Sequence, residues 1–490
     1  GNNNVGISYF GRLVYNYNDK YVLTASIRRD GSSVFGPANK FGNFPGVGLA
    51  WNASNEEFLK QATFISDLKV RVSWGKTGNN NIGAFQTSPL TYSGSPTGNL
   101  VYSFGPGEGW FSGTTINAIS NPNLKWEETV QTNAGFDLSM FNNKFGVTFD
   151  WYRRKNNDLL VNVPIPNSTG AGPVTGSPTL ASNAASAQNT GVELALSYKN
   201  ETAGGFSYSI GVNGGYNKNI VNSLGNEFAA PIRDGAFNQN SAATYTAKGS
   251  PIGSFYGRLV DHVAIDQADI DRYNDNARKA TGNPTAVYQA DAKPGDFLFR
   301  DINGNGFIDD GDMTILGNPI PKFVYGGTVS LGYKNFDFNT AIAGVSGVTL
   351  YKEQNYVLMG TSALHNVSTE MLQRWRQPGD VAKYPRAGQN QTANLQPSDF
   401  YTEKGDYMRV RMITLGYTFP RSFLNSFSKG VVSSLRLYVS GENLVTLTKY
   451  SGYDPEISAP SGSNFIFARG IDRGQLGQPK TVLFGLQVGL

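Results

Sequence analysis

The stretch LKVRVSW, residues 68–74, puts Leu68, Val70, Val72 and Trp74 on one side of an extended chain and Lys69, Arg71 and Ser73 on the other. Successive side chains of a strand point to opposite faces, so this period of two predicts a β-strand with one apolar and one polar face. The same reading recurs outward in both directions. FGVTFDW (145–151) sets Phe145, Val147, Phe149 and Trp151 against Gly146, Thr148 and Asp150. YGGTVSLGYK (325–334) sets Tyr325, Val329, Leu331 and Tyr333 against Gly326, Thr328, Ser330, Gly332 and Lys334. The closing VLFGLQVGL (482–490) sets Val482, Phe484, Leu486, Val488 and Leu490 against Leu483, Gly485, Gln487 and Gly489. About thirteen such segments occur, most of roughly 8–12 residues. They span 7–17, 21–28, 44–51, 67–74, 128–140, 145–154, 190–198, 206–217, 324–333, 336–345, 407–419, 434–446 and 480–490. In 407–419 the faces conflict, because Arg409 and Arg411 share a side with Leu415 and Phe419.

Alternation alone suits a soluble sandwich as well as a membrane barrel. The connections separate the two. NDK (18–20), 52–66, NNK (142–144), 199–205, KN (334–335) and 420–433 are the shorter ones. Between them come 29–43, 75–127, 155–189, 218–323, 346–406 and 447–479. Short turns on one side and long loops on the other are the rhythm of outer-membrane barrels. Aromatic residues stand near strand ends, among them Tyr15, Tyr17, Trp51, Trp74, Trp151, Tyr198, Tyr216, Tyr333 and Tyr417. Such girdles suit the two membrane–water interfaces. The pattern predicts an all-β protein, a transmembrane antiparallel β-barrel with long extracellular loops. Counting inward from the last strand leaves an odd number in view. Single-chain barrels usually have an even number, so residues 1–490 are expected to be the C-terminal part of a larger barrel, with early strands ahead of residue 1.

Composition narrows the function classes. The chain has 490 residues, 58 Gly, 30 Phe, 25 Tyr and no Cys. Without cysteine there is no disulfide framework, thiolate metal site or cysteine nucleophile. The 41 basic and 37 acidic residues give +4, which offers no basic footprint for nucleic acid. No run approaches the roughly 18 apolar residues that a spanning helix needs. The opening GNNNVGISYF carries no secretion signal, so any export signal is expected outside this sequence. P-loop, dinucleotide, H-E-x-x-H and G-x-S-x-G patterns are absent, and no enzyme activity is expected. The two histidines, His262 and His365, both fall in predicted loops.

One segment breaks the rhythm. In DINGNGFIDDGD (301–312), Asp301, Asn303 and Asn305 occupy positions 1, 3 and 5 of a twelve-residue loop. Gly306 holds the sharp-turn position, Phe307 offers a carbonyl at 7, and Asp309 and Asp312 stand at 9 and 12. Oxygen donors at this spacing suit Ca²⁺, held as a structural ion on an outside loop. The plain reading is an Asx-rich turn without an ion. Asp at position 12 in place of Glu shortens the bidentate arm and predicts weak binding. In MLQRWRQPGD (371–380) the sequence predicts a short helix, with Trp375 between Arg374 and Arg376 as a ligand-contact candidate or as ordinary loop packing.

The stretch DINGNGFIDDGDMTILGNPIPKFVYGGTVSLGYKNFDF (301–338) resembles SusC/RagA-like TonB-dependent transporters of Bacteroidetes outer membranes. RRDGSSVFG (28–36), SDLKVRVSWGKTGN (66–79), YMRVRMITLGYTFP (407–420) and LRLYVSGENLVTLTKYSGYDPE (435–456) carry the same likeness, which covers essentially the whole chain. The resemblance implies a barrel of roughly 22 strands around an N-terminal plug. It implies energy from TonB, a SusD-like lipoprotein over the outer mouth, and oligosaccharides or peptides as cargo. The barrel would be bathed in outer-membrane lipid. A secreted or surface-attached β-rich adhesin or glycan-binding module is the alternative.

Overall fold

The computed structural model describes residues 4–82, 87, 90–93, 101–103, 110–164, 179–225, 230–237, 241–359, 366–388, 393–428, 431–457 and 466–490. Thirteen strands form one antiparallel sheet in which each is bonded to its neighbours in chain order. They are β1 (Gly6–Tyr17), β2 (Tyr21–Ser32), β3 (Phe41–Asn52), β4 (Ile65–Asn79), β5 (Glu127–Met140), β6 (Phe145–Pro164) and β7 (Thr179–Glu201). β8 (Phe206–Ser223), β9 (Phe323–Tyr333), β10 (Phe336–Ser346), β11 (Tyr407–Thr418), β12 (Ser434–Thr448) and β13 (Thr481–Gly489) complete it. Every alternating segment of the sequence belongs to this sheet. The strands outgrow their patterns at the long-connection side, where β6 reaches 20 residues and β7 reaches 23. Two of the expected long loops therefore shrink, to 33–40 and 165–178, and the strict alternation of short and long connections does not hold. Ladder hydrogen bonds continue past the end of the apolar pattern, because backbone pairing does not depend on side-chain polarity.

The chain packs as two units, Gly1–Leu196 with Lys218–Ala230, and Ser197–Asn217 with Pro231–Leu490. In the first, the β1–β2 turn passes through Asn18 and Asp19 at φ 51° and 53°, the left-handed conformation that matches the twist of a tight hairpin. After β3, Glu56 accepts hydrogen bonds from Lys20 Nζ (2.8 Å), Tyr21 Oη (2.7 Å) and Trp51 Nε1 (3.3 Å). These donors, Lys20 first, hold its carboxyl at about 2. On the polar face of β4–β6, Arg71 and Asp150 both stand opposite Gly135 of the strand between them. The guanidinium crosses that glycine and meets Asp150 at 2.6 and 2.7 Å and Asp137 at 2.9 Å. A Cβ on Gly135 would collide with the Phe149 carbonyl and the Asp150 carboxylate.

The second unit repeats the device. Arg436 of β12 reaches over Gly416 of β11 to Asp337 of β10, at 2.9 and 2.6 Å. Here a Cβ on Gly416 would strike both partners. The conflict of faces in β11 is resolved by a bulge at Arg411, which has no partner in β10, where Val410 and Met412 pair with the adjacent Ile342 and Ala341. One extra residue moves the following side chains across the sheet. Arg409 is therefore buried on the polar face, while Leu415 is exposed on the other. Arg409 donates to Asp454 (2.6 Å), Glu456 (2.8 Å) and Thr446 (2.9 Å), drawing the segment after β12 onto that face.

Among the described residues the apolar face meets no second layer. Leu49 is 59% exposed, Val482 57%, Phe484 84% and Leu486 60%. The buried apolar clusters form instead where the connections meet the ends of the strands and within the connections themselves. In the first unit Val34, Phe35, Phe44, Leu124, Trp126 and Ala181 pack together. In the second Ala243, Phe255, Tyr351, Tyr401, Ala468 and Ile471 do so. The connection between β8 and β9 is a folded body. It holds a four-stranded sheet (Ile232–Phe237, Ser241–Thr246, Ser254–Gly257, Thr314–Gly317), a hairpin (Val260–Val263, Phe297–Phe299) and helix α1 (Gln267–Thr281). The predicted helix over 371–380 is a 3-10 turn, Thr369–Gln373, which ends before Arg374.

The crossing glycines generate a test. Gly135→Ala and Gly416→Ala each add a methyl where a backbone carbonyl or a salt bridge already stands, at a cost of about 1–3 kcal/mol. Gly48→Ala, whose Cβ would find Ser73 at an ordinary 3.8 Å, is the neutral control. Thermal unfolding in detergent should drop for the first two variants and stay put for the third.

Candidate functional site

The folded body between β8 and β9 carries two of the sequence-predicted features, the 301–312 loop and His262, and its helix α1 lies against both. Asp266 caps α1 by accepting from the Asp269 amide at 2.9 Å. Arg278 and Lys279 lie in the last turn, and Gly282 closes it at φ 68° with its amide on the Arg278 carbonyl. Acidic first turns, basic last turns and a left-handed glycine are the features that end helices cleanly. The last turn of α1 backs the 301–312 loop, where a Cβ on Gly306 would come within 2.9 Å of Ala280.

Within that loop, Gly306 takes φ 91°, as the sixth position of such a turn requires. Asp301 accepts from the amides of Gly304 (2.6 Å) and Gly306 (2.7 Å). Asn303 Oδ1 accepts from Asn305, and Asn305 Oδ1 from Phe307. Asp309 accepts from the Gly311 amide and from the side chains of Asn303 and Asn305. Asp312 is fully buried, and its two oxygens take the amides of Ile302, Asn303 and Asp309. The loop is thus closed by its own hydrogen bonds. Among the described residues no group of three or more His, Cys, Asp or Glu side chains converges to hold a metal.

Arg258 anchors this loop, a role its position in the sequence did not signal. It donates to the Asp309 carbonyl at 3.1 Å and to Gln396, and lies 5.8 Å over the Phe299 ring. Its own carbonyl takes the Asp399 amide, so one residue ties three segments together. Trp375 packs against the cluster of Val263, Phe297 and Phe299, and its indole donates to the Ile265 carbonyl at 2.9 Å. The described contacts of Trp375 are those of packing. His262 lies between Asp261 and Asp269, with each ring nitrogen on a carboxylate. His365 lies outside the described residues. Tyr288, whose hydroxyl donates to the Phe299 carbonyl at 2.7 Å, is pushed up to about 12 by burial.

Missed by the sequence reading were Asp454 and Glu456, the partners of Arg409. The signal was present in the quoted SGYDPE and in two arginines on an otherwise apolar strand, but pairing across about 45 residues is not a local property. Replacing Arg258 by Ala leaves the Asp309 carbonyl and Gln396 without their charged donor, a loss of about 1.5–3 kcal/mol. Limited proteolysis should then cut within 301–312 faster, while β9 and β10 remain intact.

Comparison with known proteins places this arrangement. Residues 1–444 match the family described as "TonB dependent receptor-like, beta-barrel". The chain is 33% identical over 491 residues to TonB-dependent receptor P3 of Formosa agariphila, covering 98% of this chain and 45% of that protein. It is 30% identical over 497 residues to TonB-dependent receptor SusC of Bacteroides thetaiotaomicron, covering 99% and 44%. The chain therefore spans less than half the length of these relatives. The structure of the RagAB peptide transporter shares the fold, with a TM-score of 0.76 at 23% identity, over 99% of this chain and 47% of that one. A thirteen-stranded antiparallel sheet with an exposed apolar face, and a family match over nearly its whole length, make this chain a member of the TonB-dependent receptor β-barrel family.

Proposed function

We propose that this chain forms part of the wall and the external loops of an outer-membrane importer, energised through TonB, that takes up oligosaccharides or peptides with a SusD-like surface lipoprotein. The observation that carries this reading is the division of the sheet. Its apolar side chains are exposed and its charges are paired on the opposite face. Lipid would cover the first face. Shallow grooves there, one lined by Leu68, Val70, Ala134, Phe136, Phe149 and Trp151, suit acyl chains. Water and cargo would pass the second. The matched relatives are more than twice as long, so the thirteen strands would be part of a larger wall, with the plug and the TonB contact elsewhere in the full-length protein. SusC and RagAB among the similar proteins support a lipoprotein lid, and the name of the RagAB peptide transporter keeps peptides beside oligosaccharides as cargo.

An adhesin or soluble glycan-binding module is the weaker reading, because an exposed apolar band of this size would drive a soluble protein to aggregate. Fractionation separates the two. The protein should stay in outer-membrane pellets after a high-salt wash, leave them only with detergent, and bring a surface lipoprotein with it. Recovery in plain buffer, without a lipoprotein, would overturn the importer.

For the 301–312 loop we propose a weak structural Ca²⁺ site using Asp301, Asn303, Asn305, Asp309, Asp312 and the Phe307 carbonyl. The turn at Gly306 supports it. The loop already closes on its own amides, so an ion would add stiffness to a formed turn. With an extracellular-type dissociation constant of about 1 mM, about 10 mM Ca²⁺ stabilises by about 1.4 kcal/mol. A melting temperature that ignores Ca²⁺, or that rises equally in Asp301→Ala, would remove the ion from this account.

A further inference from the structure

The division into an apolar and a charged face breaks at one end of β4–β6. In these antiparallel ladders, residues directly opposite share a face. Val72, Ala134 and Trp151 form one row of the apolar face, and Trp74, Thr132 and Arg153 form the next. Beyond it stand Lys76, Val130 and Lys155, then Gly78, Glu128 and Asn157. These cations lie at the end remote from the 141–144 turn; nearer that turn the same face carries Leu68, Leu138 and Val147. Glu128 is the acid on these rows, and Lys76 takes it at 2.6 Å. Arg153 is exposed, and its Nε donates to Gln188 of β7 at 2.9 Å, which holds the guanidinium against the sheet. Among the described residues neither Arg153 nor Lys155 meets a carboxylate.

On a lipid-covered face a cation is strongly disfavoured at mid-depth and tolerated at the interface, where tryptophans also gather. Trp74 and Trp151 mark that level. Arg153 shares the row of Trp74, and Lys76 and Lys155 lie about 7 Å farther out along the strands. On the other side of the tryptophans, on the same strands, runs the apolar groove of Leu68, Val70, Ala134, Phe136, Phe149 and Trp151. Two cations without a carboxylate, set above a groove that suits an acyl chain, match an amphiphile with an anionic head. We propose that this end of β4–β6 binds a phosphate-bearing lipid of the outer leaflet, with the phosphate on Arg153 and Lys155 and an acyl chain in the groove. The site rests on the barrel reading, in which the long-connection ends of the strands face outward. A guanidinium meets phosphate through two parallel donors, and with its Nε on Gln188, Arg153 still presents both terminal nitrogens. Lys155 adds a point charge on a flexible stem. Lys76 contributes less, because Glu128 already answers its charge. A neutral lipid fills the groove equally well but leaves the two cations without a counter-charge, so the headgroup supplies the selectivity.

Lipids brominated in the acyl chain quench a tryptophan they touch, and the quenching that Trp151→Phe removes reports a lipid at this site. The full-length protein is placed in phosphatidylcholine vesicles carrying either brominated phosphatidylcholine or brominated phosphatidic acid. Quenching of Trp151 should be stronger with the brominated acid. Arg153→Gln and Lys155→Gln should each lower that preference about fivefold, the worth of one surface cation toward an anionic headgroup, and leave quenching by the neutral lipid unchanged. Arg153→Lys, which keeps the charge, should keep most of the preference. Arg154→Gln, on the opposite face of the same strand, should not alter it. Inorganic phosphate in the buffer should not displace the brominated acid. Equal quenching by the two lipids in the native protein, a preference that survives both glutamine substitutions together, or displacement by inorganic phosphate overturns the lipid site and leaves the barrel standing. Quenching of Trp151 by neither lipid overturns the barrel reading, and the site with it.

Discussion

A backbone amide withdrawn from water must be bonded to something, and beside an apolar side-chain layer the only partner within reach is the next strand. That constraint organises the sheet. Thirteen strands pair in chain order, and every ladder is antiparallel. Once the backbone is satisfied in this way, the two faces are free to differ. One carries Leu, Val, Phe and Trp side chains that touch no second layer; the other carries charges. Among the described residues most of the sheet's apolar side chains are exposed, and its order rests on ladders, turns and the ion pairs across its polar face.

Those ion pairs share a geometry that links sequence to packing. A guanidinium that must reach past a neighbouring strand needs that strand to be bare at the crossing point. Gly135 and Gly416 supply the bare positions for Arg71 and Arg436. Glycine weakens a strand interior, and here the loss is offset by ties that join three strands at once. The bulge at Arg411 solves a different problem on the same face. By inserting one residue, it lets Arg409 point to Asp454 while Leu415 points the other way.

The long connections follow ordinary globular rules, with small cores, capped helices and closed turns. Their polar devices act at the seams between elements. Arg258 ties three segments, Asp312 closes its loop from inside, and His262 sits where a helix meets a hairpin. The strength of such charged seams depends on the surrounding ions, as that of apolar packing does not.

The alternation of LKVRVSW and its repeats determined the thirteen strands and, outside β11, their faces, because a period of two is a property of neighbouring residues alone. The 301–312 turn was likewise legible, with Gly306 in the left-handed conformation that its position required. Only the tertiary structure decided that Trp375 packs beside Phe297 and Phe299, that the loop's carboxylates close on their own amides, and that the connection between β8 and β9 is a folded body. It alone paired Arg409 with Asp454 and set His262 between two aspartates. Such contacts join residues far apart in the chain or aim side chains by packing, and neither distance nor direction of that kind is written in local periodicity.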